Sequence, residues 1–258
     1  MKLICCYTVF NGLELLEKSI EQIYNYVDEI IICTQKFSNT RLKGNEFIPK
    51  SIYAKEKIFF CEYEPDFKLN TKANERAKHN LLINEAKKRG ATHFFLSAVD
   101  HFFLKEDFIK AKIKARNYDV TLTQMYTYFK KPTWQLDPPE DYWMPFICKL
   151  YPHTEFTPAQ YNQFHTDPSV RINTRETIYG FPRHEISMYH YSAVRKDITN
   201  KFRNAAASIR WTPEIIKGFE DEFKNYDIQK NEGVKYFGGR KIKEVPDIFE
   251  LAPIFQPE

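Results

Sequence analysis

Long apolar runs are absent from this 258-residue sequence. A helix that crosses a bilayer needs about 20 consecutive apolar residues, and no run approaches that length. The first residues, Met1 to Tyr7, enter a strand pattern at once, without the basic and apolar regions of a secretory signal. We therefore expect a cytoplasmic protein with no membrane-spanning segment.

Glycine-rich motifs are absent as well, and the sequence has only 8 glycines. It contains neither a P-loop nor a G-x-G-x-x-G fingerprint. It also lacks the G-x-S-x-G elbow and any Cys/His pair with the spacing of a nucleophile and its base. The common nucleotide and nucleophile motifs therefore do not explain what the chain does.

Cysteines are few, and their spacing fits no metal site. The 5 cysteines are odd in number and lie inside apolar, strand-like runs. This pattern is typical of buried, reduced thiols in a cytoplasmic protein. They are Cys5, Cys6, Cys33, Cys61 and Cys148.

Charge of one sign is not concentrated either. With 38 Lys and Arg against 34 Asp and Glu, the net charge is +4 and the pI is near 8.6. This mildly basic balance suits an anionic small ligand, or peripheral attraction to acidic membranes or nucleic acid. It is not the strong basic footprint of a dedicated DNA-binding domain.

The first half of the sequence alternates between strand and helix patterns. Strand patterns cover residues 2–8, 28–34, 57–63 and 92–97. Helical patterns cover residues 12–26, 70–89 and 105–116, and Gly90 marks the end of the longest. This alternation predicts an α/β fold: a central, mostly parallel sheet flanked by helices, with a ligand crevice at the carboxyl ends of the strands.

The second half changes character. Longer strand patterns at 119–131 and 142–151 are separated by a proline-rich turn at 137–139, and helical patterns follow at 194–207 and 212–226. Residues 152–184 have weak periodicity and fit a lid or an acceptor-binding region. The tail, 231–258, shows no clear regular pattern. No linker divides the chain, so we expect a single domain over residues 1–258.

Asp100 is the most informative residue of the predicted crevice. The apolar strand pattern around Phe95 ends at this acid, and aromatic residues resume at Phe102. A buried strand that delivers a carboxylate at its carboxyl end is how an open α/β sheet places a metal or phosphate ligand. A helix N-cap or a turn residue is the alternative, but the next helical pattern begins near Lys105, so we favour the ligand role.

His190 is the second candidate ligand, although a lone histidine among apolar neighbours is more often just packed. Alternation of Ile186, Met188 and His190 predicts that they share one face of a short strand directed into the site. A neutral imidazole and a carboxylate suit a divalent metal. The cations that follow, Arg195, Lys196 and Lys201, suit the phosphates that such a metal would bridge, although a solvated surface would also account for them.

These motifs, in this order, resemble the GT-A class of nucleotide-sugar glycosyltransferases, and within it the single-domain bacterial and viral enzymes near family 2. The resemblance covers residues 1–115 and returns at 186–205. Thr8, Phe10 and Asn11 stand in the place of the family's first-strand nucleotide loop. Lys78 and Asn80 match its Lys/Arg-x-Asn motif.

Two further segments complete the resemblance, and two positions depart from it. Asp100 lies where the D-x-D segment belongs, and the segment around His190 resembles the late histidine motif that completes a metal site. Ala98 replaces the first acid of D-x-D. Thr34 and Gln35 replace the acid that usually recognises the nucleotide base, although both side chains can still hydrogen-bond to a base.

The resemblance implies a GT-A-type, Rossmann-like sandwich in which residues 1–115 bind the donor and residues 116–258 bind the acceptor. It implies Mn²⁺ or Mg²⁺ held by Asp100 and His190. The donor would be a UDP- or GDP-sugar bound by Thr8, Phe10, Asn11, Thr34, Gln35, Lys78, Asn80, Arg195, Lys196 and Lys201.

The activity implied is transfer of a sugar to a hydroxyl acceptor, either a saccharide in surface glycan synthesis or a lipid-linked molecule. An inverting transfer needs a carboxylate base, for which Asp167 and Glu185 are the candidates by position. Tyr142, Trp143 and Tyr161 could stack on acceptor sugar rings, or could simply be packed.

Two alternatives to this activity remain. The first is a non-catalytic nucleotide-sugar-binding protein, because Ala98 weakens the metal motif. The second is a phage-type glycosyltransferase that acts on modified DNA bases, for which the basic pI would be relevant.

Overall fold

The computed structural model describes residues 1–42, 48–158, 164–167, 169–173, 177–205 and 207–256. Within these ranges eleven strands are joined in a mixed sheet, with helices on both of its faces. The α/β class and the mostly parallel sheet predicted from the sequence are confirmed. Tyr161, one of the candidate stacking residues, lies outside the described residues.

The first four strands are parallel. They are β1 (Leu3–Thr8), β2 (Glu29–Thr34), β3 (Ile58–Glu62) and β4 (His93–Ala98), in the spatial order β3-β2-β1-β4. Thr8 pairs with Cys33 on one side and with Ala98 on the other. The carboxyl ends of β1, β2 and β4 therefore meet at one edge of the sheet.

Four helices cover the two faces of this parallel part. They are α1 (Leu16–Ile23), α2 (Lys50–Tyr53), α3 (Thr71–Lys88) and α4 (Lys105–Lys114). Side chains of β1 alternate between the faces: Leu3 and Tyr7 pack with α1 and α4, whereas Ile4 and Cys6 pack with α3. Both faces of the strand are thus buried, as its continuous apolar pattern requires.

The second half adds mostly antiparallel pairing. Its strands are β5 (His101–Phe102), β6 (Val120–Phe129), β7 (Trp134–Asp137), β8 (Trp143–Lys149), β9 (Ile178–Phe181), β10 (Ser187–Ala193) and β11 (Lys241–Glu244). Strand β8 lies between β4 and β6, antiparallel to both. Strand β10 pairs with β5, which places His190 opposite His101. Helices α5 (Ile198–Asn204) and α6 (Pro213–Asn225) follow.

Several elements differ from the sequence prediction. Strand β7 lies inside the predicted connection, β9 inside the weakly periodic section, and β11 inside the tail that we expected to be irregular. Each is only 4 residues long, which is too short for a clear strand pattern. Strand β9 pairs with β6, and β7 pairs both with the preceding β6 and with the distant β11. Helix α5 begins at Ile198 rather than at 194, because Asp197 caps it by accepting a hydrogen bond from the Asn200 N–H.

The burial predicted for the thiols is found at four of the five cysteines. All five cysteines are free; four are buried, and Cys61 is partly exposed. Burial raises the pKa of the Cys5, Cys6 and Cys148 thiols, so these thiols stay protonated at neutral pH. Among the described residues, no helix combines the length and the apolar character needed to cross a bilayer.

Candidate functional site

A polar crevice of about 190 Å³ opens where β1, β2 and β4 end. Its walls come from the turn after β1, the connection after β2, the first turns of α3, the turn after β4, and α5. This is the edge at which the parallel topology predicts a ligand. Eight of the residues predicted from the sequence line it: Thr8, Phe10, Asn11, Gln35, Lys78, Asp100, Arg195 and Lys201.

Asp100 lies in the turn after β4 and is only 4% exposed. Its Oδ2 accepts a hydrogen bond from the Arg195 guanidinium and lies 3.3 Å from the Lys201 Nζ. Burial raises the pKa of this carboxyl, but the charges of Lys201 and Arg195 and the contact with His190 outweigh that effect. The pKa is held well below its usual value, so Asp100 is ionised at neutral pH.

Arg195 is fixed from several sides. Its guanidinium donates to the backbone oxygens of Tyr191 and Val194, at 3.1 and 3.2 Å. Gly12 packs directly against it: a Cβ at that position would lie 2.8 Å from the Arg195 Nε, and Gly12 has a φ of 76°. Glycine is therefore required at position 12 both by the left-handed backbone and by the close approach.

Two histidines adjoin Asp100. The His190 Nε2 lies 3.6 Å from the Asp100 Oδ2, and the His101 Nε2 lies 3.9 Å from the Asp100 Oδ1. The two rings meet edge to face with centroids 5.2 Å apart. Burial lowers the pKa of His101 to about 3, so this ring is neutral at pH 7. Sequence reasoning missed His101, although it directly follows Asp100.

This group can accept a metal. Asp100, His101 and His190 each offer one ligand atom, and these atoms lie within 4.8 Å of one another. The Nδ1 atoms of both histidines are buried without a hydrogen-bond partner among the described residues. One carboxylate and two imidazoles suit Mn²⁺ better than Mg²⁺, which prefers oxygen ligands. Because Arg195 and Lys201 already neutralise Asp100, the negative charge left for an ion is small.

The opposite wall of the crevice is formed by α3 and the residues after β2. The Lys78 Nζ donates to the Gln35 Oε1 over 2.6 Å. Burial lowers the pKa of Lys78, which is only 8% exposed. Glu75, one turn earlier on α3, also lines the crevice, and its Oε2 is ion-paired with the Lys72 Nζ at 3.4 Å. Sequence reasoning missed Glu75, because a charge on a helix gives no sign of which way it faces.

Three of the predicted donor-binding residues do not line the crevice. The Thr34 hydroxyl donates to the Cys61 backbone oxygen at 3.4 Å. The Asn80 side chain is engaged with the backbone of Phe156, donating to its oxygen and accepting from its N–H. Lys196 is exposed, on the segment that leads into α5.

The two predicted bases are also placed elsewhere. Asp167 is ion-paired with Lys72 at 2.9 Å and accepts hydrogen bonds from Ser169. Burial raises the pKa of Asp167, but Lys72 and Ser169 hold it below its usual value. Glu185 lies near the Tyr179 hydroxyl, at 3.5 Å. Neither carboxylate lines the crevice.

The aromatic residues proposed for acceptor stacking are partly used in packing. Tyr142 stacks on His165 with ring centroids 4.4 Å apart, and Trp143 meets Phe164 edge-on at 5.0 Å. Tyr142 is 36% exposed, so one face of its ring is covered by His165 and part of the side chain remains open to solvent.

Comparison with solved structures gives distant likenesses. No protein-family model matches the chain, and no curated protein sequence matches it. The S. aureus protein TarS (residues 1–349), in complex with UDP, is 13% identical, with 90% of this chain and 74% of that chain covered and a TM-score of 0.44. A mannose-1-phosphate geranyltransferase from Thermus thermophilus is also 13% identical, with 93% and 69% covered and a TM-score of 0.34. Likenesses this weak carry no argument about function.

Proposed function

We propose that this protein transfers a sugar from a nucleoside diphosphate sugar, with UDP or GDP as the nucleotide, to a hydroxyl acceptor. The observation that carries the proposal is the charge arrangement of the crevice. Asp100 at the strand end is surrounded by Arg195 and Lys201, and Lys78 lies on the opposite wall. Cations that converge at the carboxyl ends of parallel strands suit a diphosphate.

The motif resemblance supports a nucleotide sugar over other diphosphates. In the transfer, the bond between the anomeric carbon and the diphosphate oxygen breaks, and its electron pair leaves with the nucleoside diphosphate. The acceptor oxygen bonds to the same carbon, and its proton passes to the leaving diphosphate or to water. The acceptor would be a saccharide of a surface glycan or a lipid-linked molecule.

The crevice residues have separate tasks in this proposal. Arg195 and Lys201 stabilise the negative charge that develops on the leaving diphosphate. Gln35 offers its amide to the nucleoside, and Lys78 adds a further cation for the diphosphate. A divalent cation held by Asp100, His101 and His190 would supply further positive charge to the diphosphate when bound. Because Asp167 and Glu185 lie outside the crevice, we assign the acceptor's proton to neither.

The test is a thermal-shift screen of UDP- and GDP-sugars with Mn²⁺ and with a chelator. A donor present at 100 times its Kd stabilises the fold by about 2.7 kcal/mol, which raises the melting temperature. We expect one donor to do so, with a larger shift in Mn²⁺. Asp100→Asn and His190→Ala should lose the Mn²⁺-dependent part, whereas His184→Ala, at an exposed histidine outside the crevice, should keep it.

Two results would contradict the proposal in different ways. No shift with any nucleotide sugar would remove the donor assignment. An Mn²⁺-dependent shift that persists in both Asp100→Asn and His190→Ala would leave the donor in place and remove the metal site.

A non-catalytic donor-binding protein is a second candidate, because Ala98 lines the crevice where a carboxylate would otherwise face the donor. It predicts donor-induced stabilisation without release of free nucleotide. A coupled assay for UDP or GDP, run with Mn²⁺ and a panel of acceptor saccharides, distinguishes the two: nucleotide release supports transfer, and its absence in the presence of bound donor supports the binding protein.

A further inference from the structure

A second, larger cavity of about 850 Å³ lies beside the crevice. It is bounded by the segment 39–42, the first residue of α3, the end of α5, the turn at 208–210, and α6. We call it the α6 groove. Asn39 lines both cavities. The Thr40 hydroxyl lies between them, 3.4 Å from both the Arg203 oxygen and the Asn204 Oδ1. A ligand in the α6 groove would therefore lie next to one in the crevice.

Part of the α6 groove is apolar and open to solvent. Ile209 is 68% exposed and Leu42 is 38% exposed, and Pro213 and Ile216 extend the same wall. Helix α6 has no fully buried residue. Contiguous exposed apolar side chains beside a candidate active site are typical of a binding surface rather than of ordinary protein surface.

The rim of the α6 groove is cationic. Arg203 is paired with Glu220 at 3.9 Å, but Arg41, Lys217 and Lys224 have no carboxylate within 4.0 Å among the described residues. Asp221 is the one other acid of the lining. The Arg41 guanidinium donates to the Phe67 backbone oxygen at 3.3 Å, so Lys217 and Lys224 are the lining cations left without a partner among the described residues. Two such lysines against the single carboxylate of Asp221 favour an anionic ligand.

We propose that the α6 groove binds an amphiphile in which an anionic phosphate group is joined to an apolar chain, as the acceptor of the proposed transfer. The anionic group binds at Lys217 and Lys224, and the chain lies along Leu42, Ile209 and Ile216. This inference rests on the proposed function, because the α6 groove has an acceptor role only if the crevice holds a donor. A purely saccharide acceptor would need neither the apolar wall nor the cations.

The experiment uses dodecyl phosphate below its micelle concentration as the probe, with titration calorimetry on the full chain. We expect 1:1 binding to the wild-type protein and about tenfold weaker binding of the neutral dodecyl maltoside. The double variant Lys217→Glu/Lys224→Glu should weaken dodecyl phosphate binding by about tenfold. Ile209→Ser should weaken both amphiphiles by about threefold or more, because a buried methylene contributes about 0.8 kcal/mol.

Matched variants on α4 serve as controls. Lys110→Glu changes an exposed lysine, and Ile113→Ser changes an isoleucine that is 63% exposed; neither residue lines the α6 groove. Both controls should bind dodecyl phosphate as the wild type does. Circular dichroism confirms that each variant is folded, as expected for substitutions at exposed positions.

Several outcomes would overturn the inference. They are equal binding of the neutral amphiphile, unchanged binding in Lys217→Glu/Lys224→Glu, and binding only to anionic lipid vesicles, which would indicate a membrane surface instead of a single molecule. Failure to bind dodecyl phosphate while a nucleotide sugar still stabilises the protein would remove this inference and leave the proposed function intact. Dodecyl phosphate binding without any donor binding would remove the proposed function and the acceptor role with it.

Discussion

Two buried aspartates beside the sheet, Asp119 and Asp100, have partners of different kinds. Asp119 precedes β6 and is 6% exposed. Its carboxylate accepts hydrogen bonds from the Tyr151 hydroxyl at 2.6 Å and the Thr177 N–H at 3.0 Å, with the Lys149 Nζ at 3.3 Å. Neutral donors and one partly exposed lysine thus satisfy it, and they tie three chain segments together.

Asp100 is as deeply buried, but its partners are cations and imidazoles. Arg195 and Lys201 contact one oxygen, and two histidines adjoin the carboxylate. The Arg195 Nε is left without a hydrogen-bond acceptor among the described residues. A carboxylate that only stabilised the fold would not gather more positive charge than it can neutralise. This excess of positive charge makes the Asp100 region a candidate site for an anionic ligand, whereas the Asp119 region has a structural role.

The comparison between Asp100 and Asp119 predicts its largest effect on the free energy of unfolding. Asp100→Asn removes the carboxylate and leaves the buried Arg195 and the partly exposed Lys201 without an anionic partner, so we expect a loss of about 3–5 kcal/mol in the free energy of unfolding. Asp119→Asn keeps an amide oxygen for Tyr151 or Thr177 and should cost about 1–2 kcal/mol. Urea denaturation at pH 7 measures both. Equal losses would mean that the two carboxylates have the same structural role.

Gly12 gives the next largest effect. Gly12→Ala adds left-handed backbone strain of about 1–2 kcal/mol and a methyl group that meets Arg195. The control is Gly90→Ala: Gly90 has a φ of 73°, but a Cβ there would meet nothing within 4 Å. Both variants should lose stability in urea, and Gly12→Ala should lose more. Only Gly12→Ala should reduce the donor-induced thermal shift. An equal reduction in Gly90→Ala would mean that lost stability, and not the contact with Arg195, causes the reduction.

The strands around the crevice could be predicted from the sequence because each one is specified locally. The buried runs of β1, β2 and β4 are short, and a polar residue stands at or just after the end of each. Because these strands are parallel, Thr8, Gln35 and Asp100 lie at one edge of the sheet. The short strands β7, β9 and β11 could not be predicted, because each depends on pairing with a strand distant in sequence rather than on its own pattern.

The site residues likewise divide into those specified by local pattern and those that depend on distant contacts. Asp100, Arg195 and Lys201 were predicted as ligand-binding residues, and the structure brings them together. Asn80 was predicted to bind the donor, but it is used to hold the backbone of Phe156. That contact depends on which face of α3 meets a segment 76 residues away, and helical periodicity does not contain this information.

The third effect is a pH dependence of stability that arises at His79, outside the Asp100 region. Burial, with a further contribution from the charge of Lys78, lowers the pKa of His79 to about 3. Below about pH 6.5 the His79 imidazole therefore binds a proton in the unfolded chain but stays neutral in the folded protein. His79 thus lowers stability progressively from about pH 6.5 towards pH 3, by about 1.4 kcal/mol per pH unit, and has no such effect above that range.

Urea denaturation at pH 7, 5.5 and 4.5 checks this dependence. His79→Gln should reduce the slope of unfolding free energy against pH by about one proton, whereas His153→Gln, at an exposed histidine, should leave the slope unchanged. An unchanged slope in His79→Gln would place the acid sensitivity elsewhere, with the Asp100 region as the next group to test.

The smallest expected effect separates two lysines that look alike in the sequence. Lys196 is exposed, and its backbone N–H donates to the Glu14 Oε1, so Lys196→Ala should change stability by less than about 0.5 kcal/mol and leave the donor-induced shift unaltered. Lys201 contacts Asp100 inside the crevice, and Lys201→Ala should weaken donor binding by about tenfold. Titration with the donor found in the thermal-shift screen measures both affinities. Equal weakening by the two substitutions would place the phosphates on the exposed segment before α5, outside the crevice, and the contrast between Asp100 and Asp119 would then no longer mark the binding site.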